Sequence, residues 1–204
     1  MKKIIIIGCG GHAKSCVEVL DKCKDYKIAG FINKDGHIQG NKKFLNYPIL
    51  GCDKDLIFFS KKFKYVLIGI GQIKNFKIRQ KIYLKLKSLN FELPTIISSS
   101  ASISKYTKIG SGSIIMQNAI LNLGSSIGNN CIINNKTLIE HDVIIQDNCH
   151  ISTGAIINGA AIINKNTFIG SGAIISNNVT IGKNSVIGSG AIVKRDIKDN
   201  SLIK

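Results

Sequence analysis

Acidic side chains are scarce: 12 Asp and Glu stand against 28 Lys and Arg among 204 residues, a formal net charge of +16 at pH 7. Residues 1–94 carry 19 basic and 7 acidic groups, net +12, so the excess is concentrated in the first half. Such a surface attracts nucleic acid or phosphorylated small molecules. The basic residues lack interleaved aromatics, so no nucleic-acid partner is expected. No apolar run reaches eighteen residues, which excludes an ordinary transmembrane helix and predicts no integral membrane segment. The opening KKIIII is too short for a secretory leader and runs straight into glycines, so a cytoplasmic protein is expected. Six cysteines, at 9, 16, 23, 52, 131 and 149, include no C-x-x-C pair. They read as reduced packing thiols, with no metal site expected.

Against these absences stands one dominant pattern. From Ile103 to Val193 every sixth residue is a branched aliphatic, among them Ile109, Leu121, Ile133, Ile151, Ile169 and Ile187. Four residues after each sits a small or slim side chain, such as Ser113, Cys131, Thr137, Cys149 and Ala161. A helix of 3.6 residues per turn cannot hold a six-residue repeat on one face over ninety residues, and Ile and Val spaced by Gly and Asn favour short strands and corners. The hexads therefore predict a parallel β-helix, three hexads to a coil and about five coils at the roughly 4.8 Å strand spacing. Cys131 and Cys149 fall one coil apart and should stack as filler.

The first ninety residues read differently. An apolar strand at 2–7 opens onto Gly8-Cys9-Gly10-Gly11-His12-Ala13, followed by helical spacing of Ala13, Cys16, Val17 and Leu20 to about Lys24. Glycines let a phosphate approach the backbone, and the free N–H groups of a helix start bind it. Further strands are expected at 27–32 and 65–70, then an amphipathic helix carrying Ile78, Ile82, Leu86 and Leu89. The pattern also fits the G-x-G-x-x-A of dinucleotide enzymes, but Asn33 stands where a ribose-binding acid would be needed. Pro94 closes this part. The division predicted is a Rossmann-like βαβ domain over 1–94 and a β-helix over 95–204.

One hexad carries chemistry. Ile139-Glu140-His141-Asp142-Val143 sets three ionisable groups in a row, and with Ile139 and Val143 inside, His141 should project from a corner. An imidazole titrating near pH 6.5 can take a proton from an attacking amine or hydroxyl, and a neighbouring carboxylate can fix its tautomer. Asp142 or Glu140 can fill that role. His150 lies half a coil further on, so the two histidines should face different ways in one chain and meet only between subunits.

The segments Gly8 to Ala13, Gly30-Phe31-Ile32, Tyr47-Pro48-Ile49-Leu50-Gly51, Ile68-Gly69-Ile70-Gly71, Leu138-Ile139-Glu140-His141-Asp142 and His150-Ile151-Ser152-Thr153-Gly154 resemble those of NeuD/PglD-type sugar acetyltransferases. That resemblance implies a left-handed β-helix, a homotrimer with sites between subunits, and acetyl-CoA as donor. It implies His141 as general base with Asp142 as its partner, and His150, Gly159 and Asn134 as cofactor-side residues. Gly8, Gly10, Gly11, His12, Asn33 and Lys136 would meet the sugar or nucleotide sugar. Lys136 matches the sialic-acid branch, so the favoured acceptor is a nonulosonate hydroxyl in surface-glycan biosynthesis. The alternatives are N-acetylation of a UDP-4-amino-sugar and a non-catalytic nucleotide-sugar-binding scaffold that assists a pathway partner.

Overall fold

The computed structural model describes residues 1–37, 40–73 and 75–204. Contacts divide them into two compact units: Met1–Gly71 with Ile78–Pro94, and Gln72–Lys77 with Thr95–Lys204.

The first unit is built on β1 (Lys2–Ile7), α1 (Gly11–Leu20), β2 (Tyr26–Ile32), β3 (Lys43–Phe44), β4 (Tyr47–Gly51), α2 (Leu56–Ser60), β5 (Tyr65–Ile68) and α3 (Lys77–Ser88), a helix whose first residue groups with the second unit. The sheet order is β3-β4-β2-β1-β5. All neighbours are parallel except β3, which runs antiparallel to β4. Ile4 to Ile7 are buried on both faces, as a central parallel strand requires. The helix α1 covers the sheet with Ala13, Cys16, Val17, Val19 and Leu20 and stops at Leu20, four residues earlier than the periodicity predicts.

Two expectations need correction. The β3–β4 hairpin was not legible, so the sheet has five strands where three were expected. On α3 the buried face is set by Arg79 and Leu86, while Ile78 is 57% exposed. Arg79 displaces the isoleucine because its fully buried guanidinium donates to the carbonyls of Ile68 and Ile70, each at 2.8 Å. Those acceptors lie at and beyond the end of β5, which stops two residues short of Ile70. Buried backbone carbonyls need such donors.

The second unit is a parallel β-helix of two-residue strands in three sheets of seven, six and five strands. The first sheet holds Ile114–Ile115, Ile132–Ile133, His150–Ile151 and Phe168–Ile169; the second holds Ile120–Leu121, Leu138–Ile139 and Ile156–Ile157; the third holds Ser126–Ile127, Ile144–Ile145 and Ile162–Ile163. Strand residues pair with those eighteen further on, as Ile133 with Ile151 and Ile139 with Ile157, until the last turn, where Val186 pairs with Leu202 and Ile187 with Ile203. Three hexads therefore make one coil, and the coils have the left-handed β-helix architecture. The stack starts earlier than the first perfect hexad, with Ile96–Ile97 pairing onto Ile114–Ile115.

The second residue of each strand points inward, and Ile133, Ile139, Ile151, Ile157, Ile163 and Ile169 have no exposed surface. The slim residues after the corners are buried too. Their hydroxyls bond to main-chain carbonyls, as Ser113 to Gly128 at 2.7 Å and Thr167 to Gly182 at 3.0 Å. Cys131 and Cys149 stack as anticipated, each thiol reaching a carbonyl of the next coil at 3.2 Å. The corners explain the Gly and Asn content. From 112 to 190 every sixth residue is left-handed, with φ between 55° and 77°. Only Lys136, Asp142 and Ala160 among those fourteen are neither Gly nor Asn. Among the described residues, no helix is long and apolar enough to cross a membrane.

Candidate active site

His141 and Asp142 form the corner between the second and third sheets. Asp142 takes the left-handed position with φ 59°, which turns its carboxylate back along the chain. Its Oδ2 lies 3.0 Å from His141 Nδ1, and both side chains are more than half exposed. An ionised carboxylate only accepts, so the proton sits on Nδ1 and Nε2 keeps its lone pair. Nε2 lies over the next coil at Gly159, where a β-carbon would stand 2.5 Å from it. Glycine at 159 is thus the seat of the imidazole. On the preceding coil, a β-carbon at Gly124 would collide with Asp142 Oδ1. Glu140 is held elsewhere, its Oε2 accepting from Asn122 Nδ2 at 3.0 Å. Of the two carboxylates open in the sequence, Asp142 is therefore the partner.

His150 is neither exposed nor at a corner. It occupies the first position of a strand in the first sheet and is 6% exposed. Its Nδ1 donates to the carbonyl of Gln72, and Asn134 Nδ2 lies 3.3 Å from Nε2. A carbonyl can only accept and an amide NH₂ can only donate, so His150 is neutral with its proton on Nδ1. Phe168 packs edge-on against the ring at 5.1 Å. Gln72 is buried and anchors the arrangement through Nε2, 2.8 Å from the carbonyl of Asn148. Sequence reasoning missed Gln72, because a glutamine after a glycine turn carries no periodic signal.

In a three-sided prism the corner between two sheets lies opposite the third. The residues expected together therefore fall into two groups in one chain. His141, Asp142 and Gly159 share one corner; Asn134 and His150 share the opposite sheet. Lys136 lies at a separate corner, between the first and second sheets, exposed and left-handed with φ 57°.

In the first unit Gly8 has φ +95°, and a β-carbon there would lie 2.6 Å from Ile70, so only glycine fits. Gly10 caps α1 with its backbone, Gly11 begins the helix, and nothing lies within 4 Å of where their β-carbons would be. They open onto a cleft of about 630 Å³ lined also by Cys9, Lys14, Asn41, Lys43, Phe44 and Leu45. A helix start beside two ammonium groups suits an anion. Gly8, His12 and Asn33 lie outside that lining. His12 packs against Gly71, and Asn33 closes a turn, its Nδ2 donating to the His37 carbonyl at 2.7 Å. Lys14, Lys43, Phe44 and Leu45 were not anticipated. Burial pushes the Cys9 thiol up to about 11, so it stays neutral at ordinary pH. Among the described residues no group of three or more His, Cys, Asp or Glu could hold a metal ion.

Residues 3–86 match the PglD N-terminal domain and residues 160–195 the bacterial transferase hexapeptide repeats. UDP-N-acetylbacillosamine N-acetyltransferase of Bacillus subtilis is 31% identical over 123 residues, covering 57% of this chain and 52% of its own length. The chain thus spans about half the length of that curated relative. PerB of Caulobacter crescentus, in complex with CoA and GDP-perosamine, superposes with a TM-score of 0.89 at 28% identity, covering 99% of this chain and 93% of its own. The acetyltransferase domain of PglB from Neisseria gonorrhoeae, in complex with acetyl coenzyme A, gives 0.89 at 29% identity, covering 98% and 95%. The chain is thus similar to the PglD N-terminal domain over residues 3–86 and to hexapeptide-repeat transferases over residues 160–195, and it shares the fold of the PerB and PglB acetyltransferases.

Proposed function

We propose that the chain transfers acetyl from acetyl-CoA to the amine of a nucleotide-linked sugar. The observation that carries this is the His141–Asp142 pair with Nε2 poised over Gly159. The amine nitrogen attacks the thioester carbonyl, forming the C–N bond as the carbonyl electrons move to oxygen. The amide N–H of Gly159 is suited to meet that oxyanion. His141 Nε2 takes the proton from the attacking nitrogen, with Asp142 stabilising the imidazolium. Collapse breaks the C–S bond and releases CoA as its thiolate. No acyl-enzyme is formed.

The amine is preferred to the nonulosonate hydroxyl expected from the sequence, because the relatives named for their substrates are N-acetyltransferases. An acidic acceptor remains a second reading on one ground, the exposed Lys136 at its corner. The cleft at Gly10 and Gly11 is assigned to the nucleotide part. A homotrimer is inferred because Asn134 and His150 can join His141 only across a subunit boundary, and a cytoplasmic location follows from the donor. CoA-thiol release, measured with UDP- and GDP-linked amino sugars, sialic acid and its CMP conjugate, tests the reading. Acceptor-dependent release that His141→Ala abolishes supports it. Release by none of them from a folded protein that does not bind acetyl-CoA favours the scaffold, whereas silence with acetyl-CoA bound points to an acceptor outside the panel. Release only with sialic acids reverses the choice of acceptor.

A further inference from the structure

The turn joining β3 to β4 is Leu45-Asn46, with φ of 48° and 66°. Two left-handed residues in a two-residue hairpin loop make a type I′ turn, which normally takes Asn-Gly or Gly because a bulky side chain is penalised there. Burial does not account for the leucine, which is 43% exposed. Its neighbour Phe44 is already engaged, packed edge-on against Phe31 at 5.0 Å. Leu45 therefore stands as an apolar side chain at the rim of the cleft whose lining holds Gly10, Gly11, Lys14 and Lys43. Sterically unfavourable backbone held at a cleft is a mark of a ligand contact.

We infer that Leu45 is a specificity-determining residue that packs on the nucleoside of the acceptor, while the helix start, Lys14 and Lys43 hold its diphosphate. This rests on the cleft being the nucleotide-sugar site. The two ends of the ligand then depend on different residues. Asparagine tolerates left-handed backbone and removes the apolar contact; methionine keeps the contact.

Calorimetric titration of UDP, GDP and inorganic pyrophosphate into wild type, Leu45→Asn and Leu45→Met tests the assignment. Leu45→Asn should weaken nucleoside diphosphate binding by about tenfold, the worth of one apolar side-chain contact, and leave pyrophosphate binding unchanged. Its Tm should equal or exceed that of wild type, which separates lost binding from lost folding. Leu45→Met should bind as wild type does. Unchanged nucleoside diphosphate affinity in Leu45→Asn, parallel loss of pyrophosphate, or equal loss in Leu45→Met overturns the inference. A wild type that binds neither nucleotide nor pyrophosphate overturns the cleft reading, and this assignment with it.

Discussion

A methyl group at Gly159 would press on His141 Nε2, because the β-carbon position is 2.5 Å from that atom. Gly159→Ala should therefore displace the imidazole and lower turnover by roughly 10- to 100-fold, the range for a misplaced acid–base group. Thermal melting should change little, since His141 is exposed and free to move aside; a variant with wild-type kcat would show that the imidazole does not work from this seat. Lys136 offers a separate test, because a lysine at φ 57° is strained where glycine is not. Lys136→Gly should raise stability by about 0.5–1 kcal/mol in urea denaturation. If the acceptor is acidic, the same change should raise its KM and leave that of neutral acceptors alone. Cys16 predicts alkaline sensitivity. Burial pushes its thiol up to about 12 in the fold, with Arg79 pulling part of the way back. An unfolded cysteine ionises near 9, so this contribution to stability is complete below pH 9 and is lost as pH rises from 9 toward 12. The fall in stability between pH 8 and 10.5 should be shallower in Cys16→Ala than in wild type.

Each coil buries its aliphatic under the next, so a substitution in one strand affects two neighbours. Ile157→Ala should cost about 2–5 kcal/mol, and Ile151→Asp should prevent folding of the second unit, both read by circular dichroism and denaturant titration. The period of six made these elements legible, because every inward position is filled by Ile, Leu or Val and every small residue after a corner is slim for a steric reason. The outward corner holding His141 was legible for the same reason. Elements without a period were not. The strand β3 is two residues long, and its turn lacks the glycine that announces a hairpin. Arg79 looks like any solvated cation on a helix until the carbonyls at the end of β5 are seen to need a donor. The hexad count sets His150 half a coil from His141 and facing another way, and its place one residue before Ile151 puts it on the flat sheet beside Asn134. Gln72 supports His150 from 78 positions away, a separation that no local pattern records.

At the scale of the molecule, the opposition of His141 and His150 within one prism makes subunit complementation the informative test. If trimers form with sites between chains, mixing inactive His141→Ala and His150→Asn chains should restore part of the activity, one of the two mixed boundaries in each mixed trimer keeping both histidines. Mixed trimers verified by mass spectrometry that stay inactive would argue for a site within a single chain. The eighteen-residue register also has a mechanical consequence. Every coil is held to its neighbours by a similar set of short parallel pairings, so tension applied along the axis from the last coil meets the same resistance again and again. Such a stack should peel rather than burst, giving a force plateau with steps of about 60 Å, the extended length of eighteen residues, each step one coil returned to free chain.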